Sequence, residues 1–365
     1  MGKTTYRKLK GSQNLRQRLL LATLSASPVL IEEIRADDTL PGLRPHEVSL
    51  LRLFEKLSDD CVVEINETGT KLKYKPGIVM GGRHLVHDCG VIRSIGYFLE
   101  PLIFLGLFAK KPLTIRLKGI TNDPRDPSVD TFRSTTIPLL KRFGVPSEGL
   151  DLKIESRGSA PHGGGEVVLT VPIVQSLNAV TWTDFGMVKR IRGVTFSTRV
   201  SSQFENTMIH AARGIFNNFI PDVHIFTDHK AGSQAGKSLA HLENDDFMAA
   251  HVVMEFHWLR KLMLGLLFLL CALCPQDVSK VRVSKLSPYG IETLRQIRDF
   301  LGVKFVIKPD PSTGTVVLKC IGCGLKNLSR KRLLKAISIP FPVQSTSVQF
   351  WLKSLALVEE VPGLE

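Results

Sequence analysis

Acidic residues are the scarce class in this 365-residue chain: 34 Asp and Glu stand against 48 Lys and Arg, a formal charge of +14. That imbalance excludes an acidic, self-solvating chain and favours an anionic partner, with nucleic acid ahead of a membrane surface or an acidic protein. Aromatics are also few, 7% of the chain with 3 Trp and 4 Tyr. Few of them interleave the basic stretches, so stacking on single-stranded bases is not indicated. Six cysteines are too few for a disulfide scaffold. Long hydrophobic runs are missing: the apolar stretches at 95–109, which carries Glu100 and Pro101, and at 262–274 fall short of a bilayer span. The basic opening leads into no secretory core, and Tyr6 stands where myristoylation needs Ser or Thr. These absences point to a soluble, intracellular protein. What is present is a 43% apolar composition with 22% charge, enough to build a core and too apolar for disorder.

The apolar periodicity repeats. A helix over 18–26, a strand over 29–34, a helix over 45–57 and strands over 61–65 and 71–74 form a first unit. The same order recurs as a helix over 91–108, a strand over 113–117, a helix over 131–143 and strands over 152–155 and 166–171. It returns a third time as a helix over 264–273, a strand over 281–283, a helix over 291–301 and strands over 304–307 and 315–320. Alternating helical and strand periods make each unit an α/β layer with one apolar sheet face to cover. Between the second and third units, a basic strand region at 186–197, a helix over 206–219 and a strand over 223–226 read as a small inserted α/β module. The cluster Pro340-Phe341-Pro342 breaks any pattern, and the tail after 331 reads as an appendage. The expected organisation is units one and two over 1–185, a truncated insert over 186–262, unit three over 263–331 and a partly disordered tail over 332–365.

Several motifs invite chemistry and fail on spacing or context. Cys271/Cys274 and Cys320/Cys323 are two CxxC pairs, and four thiolates can complete a zinc site. The gap between the pairs is far too long for a ribbon, and the first pair sits in a continuous apolar helix, so core cysteine is the better reading and no metal is expected. Gly232-Ser233-Gln234-Ala235-Gly236-Lys237-Ser238 has one residue too few between its glycines for a phosphate-binding loop. His251 and His257 do not share a helical face. No GxSxG nucleophile elbow occurs. Basic clusters at Lys110-Lys111, 189–192 and 326–335 suit phosphate contact.

The strongest motif is Arg157-Gly158-Ser159-Ala160-Pro161-His162-Gly163-Gly164-Gly165-Glu166-Val167. Its glycines permit either a close backbone approach to an anion, beside Arg157 and His162, or simply a tight turn. The pattern resembles the signature of the RNA 3′-terminal phosphate cyclase family. Gly11-Ser12-Gln13-Asn14-Leu15-Arg16 is similar to that family's N-terminal block. Ile34-Arg35-Ala36 with Pro41-Gly42-Leu43-Arg44-Pro45, and Asp130 with Pro138-Leu139-Leu140-Lys141-Arg142, are similar to two further blocks. The resemblance runs over residues 5–237 and 264–331. It implies three repeated units of two helices and a four-stranded sheet, plus one small inserted α/β domain. It also makes Arg16, Arg44, Arg157, His162, Gly163, Gly164 and Gly165 the candidate anion- or RNA-binding residues.

The departures from that pattern are as informative. Leu9 stands where the cyclases carry a Glu, Asp37-Asp38-Thr39-Leu40 where they carry basic residues, and Gly324 at or near the position of their nucleophilic His. No His follows His257, and a glycine cannot attack a nucleotide phosphate. These departures, with Thr121-Asn122 and 126–130, resemble the family's cyclase-like branch, in its plant form. That resemblance implies no cofactor and no catalytic residue. It implies nucleolar work in the small-subunit processome on pre-rRNA, with a large ribosome-assembly GTPase as partner and no membrane. An active ATP-dependent cyclase and a pre-rRNA endonuclease are the rival readings. Residues 238–264 and the tail after 331 lack family character, which implies a shortened insert without the opening strand of unit three.

Overall fold

The computed structural model describes residues 5–184, 190–198, 203–228, 249–255, 264–284 and 286–327. The glycine-rich stretch at 232–238, His257, Trp258 and the tail at 332–365 fall outside them. The first unit runs β1 (Arg7–Lys10), α1 (Leu15–Leu24), β2 (Val29–Glu32), α2 (Pro45–Leu57), β3 (Val62–Ile65) and β4 (Leu72–Lys75). The second runs β5 (Gly82–Asp88), α3 (Ile95–Leu107), β6 (Leu113–Gly119), a composite helix α4 (129–142), β7 (Asp151–Ser156) and β8 (Gly165–Val171). The third opens with β9 (Thr181–Trp182). It resumes after the insert with α6 (Leu264–Leu273), β13 (Val278–Val283), α7 (Pro288–Leu301), β14 (Phe305–Asp310) and β15 (Thr315–Ile321). The insert holds β10 (Ile191–Thr198), α5 (Gln203–Phe216), β11 (Val223–Thr227) and β12 (Ala249–Glu255).

Each unit builds one four-stranded sheet with the same order, its first and second strands paired in parallel and the rest antiparallel: β1-β2-β4-β3, β5-β6-β8-β7 and β9-β13-β15-β14. The opening strands β1, β5 and β9 escaped the periodicity analysis. They are short, or interrupted by glycine and register shifts, as in β5. The third corrects the expected topology. The opening strand of unit three is present as Thr181–Trp182, ahead of the insert, and pairs with Lys280 and Val281. The insert therefore interrupts unit three after its first strand. Its own sheet, β11-β10-β12, gains an unforeseen strand, Ala249–Glu255, which pairs antiparallel with β10 over seven positions.

The helices follow from local chemistry. α2 starts at Pro45, which needs no donor at a helix N-terminus, and Glu47 accepts the N–H of Arg44 at 2.8 Å. α7 starts the same way on Ser287, whose hydroxyl accepts from the Gly290 N–H at 3.1 Å, and stops at Gly302. The expected single helix over 131–143 is instead Val129–Thr131, a wider π turn Phe132–Thr136 and Ile137–Arg142, together α4. Pro138 supplies no N–H to the ladder there.

Each sheet packs one face on the helices. All thirteen residues of α3 and all ten of α6 are buried, and α1 contributes Leu15, Leu19, Leu20 and Leu21 to one continuous core with them. α1 packs on α3 and on α7, and α7 on α6, so residues at these helix junctions are held by all three units. Cys271 and Cys274 are buried in that core and Cys320 lies against Cys271. All six cysteines are free thiols. No helix among the described residues is long and apolar enough to cross a membrane.

One buried polar contact ties unit one to unit three. The Gln17 amide donates to the Thr293 hydroxyl at 3.1 Å, and that hydroxyl donates to the Tyr289 carbonyl at 2.9 Å. The two partners are unequal. Thr293→Val leaves the amide of Gln17 buried with nothing to bond, whereas Gln17→Leu leaves Thr293 its carbonyl acceptor. Urea unfolding should show a loss of about 1–3 kcal/mol for Thr293→Val, a smaller loss for Gln17→Leu, and a double variant no worse than Thr293→Val. Equal single losses would contradict this bonding.

Candidate functional site

Pro101 sits inside α3, the apolar helix at the centre of the fold. It has no N–H, so the carbonyl one turn back, on Tyr97, loses its helical partner. Arg16, from α1, supplies the missing donor: its guanidinium donates to the Tyr97 carbonyl at 3.1 Å. The same guanidinium pairs with Glu100 and lies 4.7 Å over the Tyr97 ring. The Arg16 side chain is only 15% exposed. Burial is the largest influence and acts to lower its pKa, but Glu100, with Tyr289, Tyr97 and Asp126 around it, together outweigh that and raise it, so the charge is held.

Tyr97 is the hub. Arg93 covers it at 4.6 Å while gripping Asp126 with two donors, and the His46 ring meets it edge-on at 5.3 Å. Burial pushes the phenols of Tyr97 and Tyr289 up to about 12 and lowers the imidazole of His46. Tyr289, from α7, lies near enough to act on the charge of Arg16, so the cluster draws on all three units. Beside it, Arg35 forks onto Glu47 at 2.7 and 2.8 Å, and Arg44 reaches Asp38 at 3.2 Å. Each arginine in this cluster thus has a carboxylate. Arg44 is the most accessible of them, with its side chain 32% exposed and its partner 51% exposed, so its pair is the weakest.

Arg157 does not join this cluster as a ligand-binding group. Its side chain is 1% exposed, paired with Asp130 at 2.5 Å and Asp228 at 2.8 Å, and lies 4.2 Å over the Phe196 ring. It locks the end of β7 to α4 and to the insert, and the expectation that it greets an external anion is corrected. Arg16 is corrected in the same way. Backbone packing accounts for two of the motif's glycines. A side chain on Gly158 would strike Gly165 N at 2.1 Å, and one on Gly165 would strike the Gly119 carbonyl at 2.7 Å. Gly163 turns the chain with φ +68 and donates to Ser159 O at 2.8 Å. Gly164 and His162 are exposed at the tip. Gly324 lies after β15 with φ +70, its N–H bonded to the Cys274 carbonyl at 2.8 Å. A histidine there would have to adopt a left-handed backbone beside Gln276.

Arg93, Tyr97, Glu100, His46 and Tyr289 were not singled out from sequence. The available signal was Pro101 beside Glu100 in an otherwise apolar helix, which demands an outside donor and a counter-charge. Among the described residues no group of three or more His, Cys, Asp or Glu side chains is placed to hold a metal ion.

The Arg16 contacts can be separated by unfolding measurements. Arg16→Met strands a buried carboxylate and should cost about 3–5 kcal/mol. Pro101→Ala restores a donor for Tyr97, and Glu100→Gln removes the stranded charge, so each should reduce the penalty of Arg16→Met when combined with it. Strict additivity in both double variants would remove Arg16 from this role.

Comparison with known proteins bears on the whole chain. The sequence profile described as RNA 3′-terminal phosphate cyclase matches residues 7–307. A "Probable RNA 3′-terminal phosphate cyclase-like protein" of Arabidopsis thaliana is 60% identical over 369 aligned positions, covering 89% of this chain and 98% of the relative. Those positions outnumber the aligned residues of this chain, so the relative carries a stretch that this chain lacks. The human "RNA 3′-terminal phosphate cyclase-like protein" is 42% identical, covering 88% and 96%. The "rRNA processing protein rcl1" of Schizosaccharomyces pombe is 48% identical over 64% of each chain. With the repeated sheets and interrupted third unit in place, and relatives matched along nearly their full length, the chain belongs to the RNA 3′-terminal phosphate cyclase family.

Proposed function

We propose that this protein is a non-catalytic member of the family that works in ribosome biogenesis, as a scaffold for processing of small-subunit pre-rRNA. One observation carries the reading: the arginines of the retained anion-site blocks are neutralised from within. Glu100 takes Arg16, Glu47 takes Arg35, and Asp38 takes Arg44. Asp38 belongs to the segment in which the resemblance implies basic residues, so a departure in sequence accounts for a lost charge. Gly324, at or near the nucleophile position, offers no group that attacks phosphorus.

The relatives' names support the same direction, being cyclase-like in Arabidopsis and human and an rRNA processing protein in fission yeast. The finer reading places the protein in the nucleus and nucleolus. There it joins the small-subunit processome, with pre-rRNA and a large assembly GTPase as partners. RNA contact rests on the +14 charge, with His162, Gly163 and Gly164 at the tip of the glycine loop as its candidate residues.

Two measurements test this. Incubation with α-labelled ATP should leave no adduct that survives denaturation, and an RNA 3′-phosphate should not be cyclised. A labelled adduct lost on mutating a single histidine would overturn the reading in favour of an active cyclase. Affinity for structured RNA should fall by roughly tenfold or more between about 50 and about 200 mM salt. Affinity unchanged by salt would contradict electrostatic binding.

A further inference from the structure

The three sheets repeat one topology, so their outward faces can be compared position by position. On the first, Lys73 stands opposite Glu64 and bonds it at 2.8 Å, and Lys71 reaches Glu32 at 2.8 Å. On the second, Arg116 pairs with Glu166 and Lys153 with Glu155. Among the described residues Lys8 on the first and Lys118 on the second form no ion pair, but neither faces another cation across its ladder; the third sheet differs in this. Lys280 on β13 stands directly opposite Lys319 on β15, and the next residue in that row is Val306 on β14. Like charges facing each other across a ladder destabilise a sheet. Among the described residues neither lysine forms an ion pair, and nor does Lys308. Arg282, bonded to Asp310 at 2.5 Å, is the cation of this face that does.

The rest of the face is β-branched. Val278 opposes Ile321, and Val317 lies between Arg282 and Lys308. Val278, Val306 and Ile321 are 51%, 55% and 59% exposed. Alternation fixes the inward set as Ser279, Val281 and Val283, which are buried, so these apolar residues are not core that leaks to the edge. A face that combines unmatched lysines with exposed valine and isoleucine is stable in isolation only at a cost, and an occupant that is both anionic and apolar removes that cost.

We propose that the outward face of the third sheet docks an acidic, amphipathic helical segment of a partner protein, an interaction that stands apart from the RNA reading above. Charge complementarity sets the sign of the partner, and the β-branched rows set its class. Nucleic acid held on an open sheet stacks its bases on aromatic rings, and the described residues of this face are lysine, arginine, valine, isoleucine and threonine with the single carboxylate of Asp310, which Arg282 occupies. Size selects a segment over a globular domain. Three strands of six or seven residues and the two-residue β9 present at most roughly 15 by 20 Å, well below the roughly 800 Å² per partner of a standard interface. That width accepts one helix about 10–12 Å across. Its carboxylates meet Lys280, Lys308 and Lys319 while its apolar stripe covers Val306 and Ile321.

The test installs photo-reactive p-benzoylphenylalanine at Val306 in the full chain, in cells that normally make the protein, and sequences the crosslinked peptide. The expected product is one dominant adduct to a peptide of net negative charge whose apolar residues recur at helical spacing. Lys280→Glu should reduce its yield by roughly tenfold or more. The same substitution sets Glu opposite Lys319, so the isolated variant should unfold no earlier than the unsubstituted protein, which separates lost docking from lost folding. An adduct to RNA, an adduct to a peptide without acidic residues, no adduct, or a yield unmoved by Lys280→Glu would each overturn the proposal.

Discussion

Pro101 leaves a bare carbonyl in a helix buried along its whole length, and Arg16 bonds to it from another unit. Without that donor the Tyr97 carbonyl would be a buried acceptor with no partner, a penalty comparable to the loss of a hydrogen bond. The arrangement then propagates. A guanidinium brought into the core needs a counter-charge, which Glu100 provides from the same helix turn. It also needs a flat surface, which the Tyr97 ring provides. Tyr97 in turn receives Arg93, whose partner Asp126 lies in the segment leading to Asp130, the carboxylate that holds Arg157. Two arginine clusters, one at the junction of the units and one against the insert, are therefore joined through a single stretch of chain at 122–130.

This internal pairing reorganises what a family pattern means. The block residues Arg16, Arg35 and Arg157 are retained by type while their charge is spent on holding the fold. A buried pair of this kind is costly to break and adds little net stability over an apolar substitute, so its retention speaks to how the units are registered against one another. The exposed surplus of positive charge lies elsewhere, on the outward face of the third sheet and on surface lysines, where solvent keeps it available to a partner.

Much of the fold was legible because its elements obey strong periods. The amphipathic helix over 45–57 and the apolar helix over 264–273 emerge with the bounds that periodicity gives them. The repeat itself is visible wherever a helix precedes a strand. The opening strands were not legible, since two residues such as Thr181–Trp182 carry no alternation and their identity comes only from a partner about a hundred positions away. The site was half legible. A resemblance can mark Arg16 and Arg157 as special, but the acceptors they meet are a backbone carbonyl freed by a proline and carboxylates from distant segments. The glycine motif shows the same limit: spacing leaves a ligand loop and a tight turn equally open, and only the closeness of Gly158, Gly165 and Gly119 brings out the packing role.

The position of the insert has a consequence for how the chain tolerates change. β9 and β13 pair across everything between Trp182 and Val278, so the insert is a loop in the third sheet's closure. The entropy of closing a loop grows only with the logarithm of its length, about 0.6 kcal/mol for each doubling. Adding or removing tens of residues there changes the cost of closure by a fraction of that figure. The length of the insert is thus nearly uncoupled from the integrity of the three sheets, and it can drift between relatives while the core around α1, α3 and α6 keeps its register.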